Sequence, residues 1–369
     1  MKYLRRVILA WLATSIMLTA ACSKSGLENP FDYPFIRPLH IKRTSGKPYS
    51  DYKAFYLLTE DFEPRVESPE EIDRIRDALR LAGELSAKYN VAWTHFVDVN
   101  TLAPAFTADN AQLKQRCREM IADLKLLASN GDDCQLHLHG MLDRGLLEFM
   151  KSQEKLRVKP SGAKQLQGYR QRKSFFFNSF YAAGYRELVT SLTYGKSLLE
   201  QAVYDGRKDV VAFRPGGWDH GSSSQDTRLY FNALIESGLI ANSGLVTGEF
   251  GTQNWTVGNY PGRNLATVQE GDDSITEISP TTGPGGYVNP VLPNDLLKLA
   301  NSVSDEMPVI VSVYHLATLQ ADSDEPGGKV QDKRAALEKH FQTVADLVAK
   351  KVLYPVTLRR MLMILSEKD

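Results

Sequence analysis

Cysteine is scarce in this chain: three among 369 residues, at positions 22, 117 and 134. So few exclude the disulfide-dense scaffold of small secreted domains. Cys117 is expected early in a helix and Cys134 at the start of the following strand. At roughly 1.5 Å of rise per helical residue the two lie about four turns apart, so both are read as free, buried thiols. An excess of one charge is also missing, with 44 basic and 44 acidic residues. Three of the basic residues and no acid fall in the first 21 positions, so the remainder carries −3. That balance leaves no basic footprint for nucleic acid, and no nucleic-acid partner is expected. A neutral or locally charged polymer stays open as a partner. Long apolar runs are absent beyond one near the start, and no internal repeat is visible. Histidine is rare too, with seven in all, so two of them two residues apart need a reason.

The apolar run spans Val7 to Leu18, preceded by Lys2, Arg5 and Arg6 and followed by Thr19, Ala20, Ala21 and Cys22. A basic start, a short apolar stretch and small residues describe a secretory signal rather than a membrane span. A cysteine directly after the small residues resembles the lipobox of bacterial lipoproteins, although Leu18 stands one position further from it than usual. The expectation is a signal peptide over 1–21 and a lipid anchor on Cys22. Ser23 points onward to the outer membrane of a two-membrane cell, facing the periplasm. Residues 22–50 read as a tether and lead-in. Residues 51–369 read as one large domain with insertions near 151–187 and 253–293.

Within that domain apolar strands alternate with helical patterns. Ala54 to Thr59 is a strand ending in acids. Ser68-Pro69-Glu70-Glu71 opens a helix, with proline just inside and acids in the first turn. Val91 to Val99 is a second strand, Ala111 to Ala128 a helix, and Cys134 to His139 a third strand. Helices over Leu188 to Val203 and Thr227 to Glu236 frame strands at Val210 to Phe213 and Leu239 to Ala241. Val309 to Tyr314 is strongly strand-like. A helix over Ala335 to Lys350, a strand over Val352 to Val356 and a helix from Leu358 complete the chain. Such alternation implies an α/β fold with a mainly parallel sheet, open or closed into a barrel. Lys151 to Lys173, rich in Lys and Arg, reads either as a solvated insertion or as a lid over a polymer. Gln253 to Pro293 reads as a large irregular loop with one strand near Ile275 to Ile278.

The paired histidines stand in "DDCQLHLHG", residues 132–140. On a strand, residues two apart share a face, so His137 and His139 stand side by side. A same-face pair at a strand end can grip a metal ion; the plain alternative is two half-buried imidazoles satisfied by hydrogen bonds. Parallel sheets gather function at the C-terminal ends of their strands. Four chemically able groups fall at such ends. They are Glu60, Asp61 and Glu63; His137 and His139; Arg214, Pro215 and Trp218; and His315. Each alone has an ordinary reading as a helix cap, a surface ion pair or a satisfied histidine. Their shared edge is what sets them apart.

The ordered series "LLTEDFE", "CQLHLHG", "FRPGGW" and "VSVYH", together with the ending "VLYPVTLRRMLMIL", resembles the polysaccharide deacetylases with NodB homology, a carbohydrate esterase 4-like family. The resemblance spans about Lys53 to Leu365. It implies a distorted (β/α) barrel of about seven parallel strands and a metal-dependent deacetylase. The expected substrate is an acetylated extracellular or cell-envelope polysaccharide, with N-acetyl groups the expected target. It also implies a divalent ion held by one carboxylate and two imidazoles; zinc is expected, and cobalt and nickel stay open. By the same resemblance Arg214 orients a catalytic carboxylate, Pro215 and Trp218 face the substrate, and His315 is the acid. The first motif aligns in two ways. In one, Asp61 is the base and Glu63 the ligand. In the other, Glu60 is the base and Asp61 the ligand. The usual histidines lie four apart, whereas here they lie two apart. The usual fourth-motif aspartate has no match, and Asn242 and Ser243 stand in its region. Two further readings remain. One is a carbohydrate-binding relative without activity. The other is an amidohydrolase or metal phosphoesterase whose site includes His220 and His315 with Asp322 or Asp324.

Overall fold

The computed structural model of the chain describes residues 30–64, 66, 68–153, 184–216, 224–245, 265–281, 300, 306–320, 322 and 329–367. Ten strands form one sheet among them: β1 (Ile36–Pro38), β2 (Ala54–Phe62), β3 (Trp93–Asp98), β4 (Asp133–Leu138), β5 (Ala212–Pro215), β6 (Ala241–Asn242), β7 (Leu265–Glu270), β8 (Asp273–Ile278), β9 (Val309–Tyr314) and β10 (Leu353–Pro355). The pairings β9–β2, β2–β3, β3–β4, β4–β5, β5–β6 and β6–β8 are all parallel. Just past β8, the Thr281 N–H donates to Val311 O of β9 at 3.0 Å. That bond links the two ends of the parallel series, the arrangement a distorted barrel requires. β10 pairs with the start of β2, ahead of the stretch that pairs with β3.

Strands buried on both faces need continuous apolar runs, and β2, β3 and β9 supply them. The alternation of side chains sorts these runs into two layers. Phe55 and Leu57 pack with Phe96, Ala212, Ala241, Val309 and Val311 inside the curl. Tyr56 and Leu58 pack with Trp93, Leu136, Phe213 and the helices outside it. The helices are α1 (Pro69–Tyr89), α2 (Pro104–Thr107), α3 (Ala111–Ser129), α4 (Arg144–Ser152), α5 (Tyr185–Tyr204), α6 (Ser224–Glu236), α7 (Val330–Ala349) and α8 (Leu358–Ser366). α1 starts as its sequence directs. Ser68 Oγ accepts from Glu71 N at 3.2 Å and Glu71 returns a bond to Ser68 N at 3.1 Å, with Pro69 at the first turn. Such a cap contributes about 1 kcal/mol.

Two segments differ from expectation. The stretch read as an irregular loop holds a second strand, β7, which pairs antiparallel with β8 across a two-residue turn at Gly271 and Asp272. Gly271 has φ +62°, which suits the tight turn between right-twisting strands. The lead-in is also part of the sheet: β1 adds antiparallel to β7. Short, mixed-polarity strands of this kind carry little periodic signal, and only the partner's edge fixes them. Cys117 and Cys134 are free and buried, as expected. No described helix is long and apolar enough to cross a membrane. Residues 1–29 and most of both expected insertions lie outside the described residues.

Candidate active site

Period two along each strand brings the polar groups of four strand ends to one side of the sheet. Asp61 is the last residue but one of β2, and Glu63 follows the strand. His137 is the last but one of β4, beside Arg214 of β5, its register partner. His139 lies two residues on, and His315 follows β9 directly. All six sit on the inner face, above the apolar layer of Phe55, Leu57, Phe96 and Val311.

Glu63, His137 and His139 each bring one ligand atom within 4.8 Å of the others. Glu63 Oε2 is 3.4 Å from His137 Nε2 and in direct contact with His139 Nε2. The His137 Nδ1–H donates to Arg214 O at 2.8 Å, so Nε2 is the ring nitrogen left to face Glu63. A backbone acceptor on the far nitrogen is the usual way in which a ligand histidine is held in one tautomer. Two imidazole nitrogens and one carboxylate oxygen, half-buried and convergent, fit a divalent ion of the zinc type with positions left for water and substrate. Burial disfavours charge on Glu63, yet hydrogen bonds from His137 and His315 outweigh it and hold the carboxyl below the usual range. Burial also opposes charge on His137, but Asp61 and Glu63 raise it to about 9. His139 goes the other way, to about 4, through burial and the neighbouring His137.

Arg214 is fully buried and fully committed. Its Nη1 donates to Asp61 Oδ1 at 2.7 Å, Nη2 to Thr59 Oγ1 at 3.0 Å and to Ser243 Oγ at 2.9 Å, and Nε to Ser243 O at 3.2 Å. Its flat face lies 3.9 Å from the Phe96 ring centroid. This clamp leaves the second Asp61 oxygen, Oδ2, turned toward His315 Nε2, 3.8 Å away. The same His315 nitrogen is 3.4 Å from Glu63 Oε1. Burial lowers the basicity of His315, but the bond to Glu63 and the charge of Asp61 reverse this and raise it.

Glu60 is not part of this group. One residue from Asp61, it faces the helices, where its Oε2 meets His95 Nδ1 at 2.5 Å, and His95 Nε2 faces Asp132 Oδ2 at 3.4 Å. Asp98 was not anticipated. It ends β3 opposite His137 and accepts from Asn100 N at 2.9 Å. Burial raises its carboxyl to about 6. An acid after an apolar strand was its one available signal, the same signal that marked Asp61. Pro215 closes β5 beside Leu138. Trp218, His220 and Asp324 lie outside the described residues. Asp322 accepts from Val330 N at 2.7 Å, ahead of α7. Ser243 touches Arg214 directly, while Asn242 bonds Tyr230 and Glu277 instead.

No protein-family model matches this chain, and no curated protein matches it in sequence. Solved structures with a similar fold include a protein named for polysaccharide deacetylase from Mycobacterium smegmatis, with 14% identity, 89% of this chain and 94% of that one covered, and a TM-score of 0.47. They also include a 4-alpha-glucanotransferase from Thermococcus litoralis, with 10% identity, 85% and 38% coverage and a TM-score of 0.45. A third is a CE4 family pseudoenzyme from Bacillus anthracis, with 10% identity, 84% and 65% coverage and a TM-score of 0.34.

Proposed function

We propose that this chain is a metal-dependent hydrolase that removes acetyl groups, N-acetyl in the first place, from an extracellular or cell-envelope polysaccharide. The observation that supports it most is the joint placement of two different sets of groups: a Glu63–His137–His139 ligand set, and an Asp61 carboxylate clamped by Arg214 opposite His315. Glu63, His137 and His139 would hold the ion. When bound, a divalent ion of this kind supplies Lewis acidity toward an acyl oxygen and makes water easier to deprotonate.

The remaining work falls to the chain. Asp61 Oδ2 accepts the proton from the attacking water, since Oδ1 is occupied by Arg214. Arg214 fixes the carboxylate in one orientation. His315 donates a proton to the departing amine, because an amide nitrogen is a poor leaving group without one. Glu60, on the other face of β2, takes no part. Pro215 contributes a rigid wall at the mouth. The export signal and the lipobox-like Ala20-Ala21-Cys22 support a lipid anchor on Cys22 and a periplasmic location at the outer membrane. A Cys22→Ser chain should then appear in the soluble fraction, whereas the parent partitions with membranes.

The deciding experiment measures acetate released from acetylated glycans, such as chitooligosaccharides and acetylated exopolysaccharide, by metal-stripped protein titrated with zinc, cobalt or nickel. Acetate release that depends on the added ion supports the reading. Saturable glycan binding without acetate release, at any ion, would instead make the chain a carbohydrate-binding protein.

A further inference from the structure

Arg214 is a charged group buried away from water, and among the described residues Thr59 and Ser243 join Asp61 in accepting its hydrogen bonds. Ser243 contributes twice, through its carbonyl and its hydroxyl. Whatever fixes Ser243 therefore helps to aim the guanidinium. The strand β6 that precedes it is only two residues long; Ser243 N still donates to Phe213 O of β5 at 2.9 Å, and beyond it Gly244 and Leu245 leave the ladder.

A buried carboxylate holds the residues on either side of Ser243. Glu277, on β8, is fully buried. Its Oε1 accepts from Gly244 N and Leu245 N, each at 3.1 Å, and from Ser279 Oγ at 2.7 Å. Its Oε2 accepts from Asn242 Nδ2 at 2.6 Å. The Asn242 amide is oriented for this by Tyr230, whose hydroxyl donates to Oδ1 at 2.6 Å. Residues on both sides of Ser243 are thus tied to one side chain. The segment also fits the end of β5 without a gap, because a Cβ at Gly244 would collide with the Pro215 ring. A buried acid with four donors does not serve as a proton acceptor for substrate; its geometry is that of a scaffold.

We infer that Glu277 is a positioning residue of the site, holding residues 242–245 so that Ser243 aims the Arg214 guanidinium at Asp61. No acid stands in the segment itself, and the neighbouring strand supplies one. The inference rests on the reading of Asp61 as the base, but its geometry is testable apart from that reading.

Two conservative variants separate bonds from charge. Glu277→Gln keeps the reach and loses the charge. Its carbonyl can accept the three bonds of Oε1, and a flipped Asn242 amide can accept from its NH2 while Tyr230 accepts from Asn242. Glu277→Asp keeps the charge and is one methylene too short for all four donors. Positioning through bonds predicts that Gln stays close to the parent in kcat, while Asp loses about 10–100-fold in kcat with KM and zinc affinity unchanged. The reverse ranking, or zinc affinity falling in step with kcat, would overturn the inference. Nitrogen-15 labelled arginine gives a second readout. The Arg214 Nε–H signal, protected by Ser243 O in the parent, should remain protected in Gln and exchange faster in Asp. If the parent releases no acetate under any metal, the proposed activity fails, and the Arg214 signal still decides the positioning role: equal protection in Gln and Asp would overturn it.

Discussion

Glu60 and Asp61 are neighbours in sequence and both are buried carboxylates, yet they live in different halves of the molecule. Glu60 faces the helical layer. It is closed in by His95, itself backed by Asp132, whose Oδ1 also accepts from Trp93 N at 2.9 Å. Asp61 faces the inside of the curled sheet, where Arg214 takes one oxygen and the other looks across to His315. Each acid thus has one oxygen fixed by a cation, Glu60 Oε2 by His95 and Asp61 Oδ1 by Arg214. The second Glu60 oxygen is buried without a hydrogen bond, whereas the second Asp61 oxygen looks toward His315 and the Glu63 group. The comparison teaches that what the second oxygen faces decides whether a carboxylate is chemically available, and that the pleat of one strand is enough to separate the two fates.

The sharpest way to break the comparison is to neutralise each acid in turn. Asp61→Asn should keep its metal, measured by elemental analysis and zinc titration, and should lose about 10²- to 10⁴-fold in turnover. Glu60→Gln should do the opposite, keeping turnover and metal. A metal-replete, inactive Glu60→Gln would exchange the two roles and restore the alternative alignment of the first motif.

Next in size is the cost to stability. Removing one member of a buried ion pair strands the other, at about 3–5 kcal/mol, so Glu60→Gln should fall near that loss in a urea titration. An unfolding midpoint equal to the parent's would show that the outer triad carries no net pairing. A smaller effect concerns Gly216, where a Cβ would come within 2.6 Å of the His139 Cα and ring. Gly216→Ala should weaken zinc binding by about 10–100-fold with the fold intact by circular dichroism, because it displaces a ligand rather than a core residue. Unchanged zinc affinity would remove His139 from the ligand set.

The smallest expected effect is a pH dependence of the outer triad. Burial opposes the charge on His95, but bonds to Asp132 and Glu60 raise it to about 10. A raised folded value means that the contribution is fully present below the unfolded value of about 6.5 and is lost as pH rises toward about 10. The thermal midpoint of the parent should therefore decline between those limits more than that of His95→Gln. Parallel declines would show that His95 is not charged in the folded protein.

Much of the site was legible in one dimension because its parts obey local rules. The spacing of His137 and His139 assigns them to one face of any strand, and the ends of apolar runs locate Asp61, Arg214 and His315 at one edge of any parallel sheet. The sequence alone also determined the alternation of elements, the caps of α1 and the absence of a disulfide framework. Tertiary structure decided the rest. Glu60 and Asp61 are equivalent acids until the curl of the sheet distinguishes inside from outside. Ser243 and Glu277 carry no motif, since a hydroxyl and an acid become partners of Arg214 only when β6 and β8 lie beside β5. β1 and β7 are strands because an edge is there to pair with them. Period and composition are properties of a segment and can be read from it; a partner that arrives from 153 residues away, as Arg214 does at Asp61, exists only once the chain has closed.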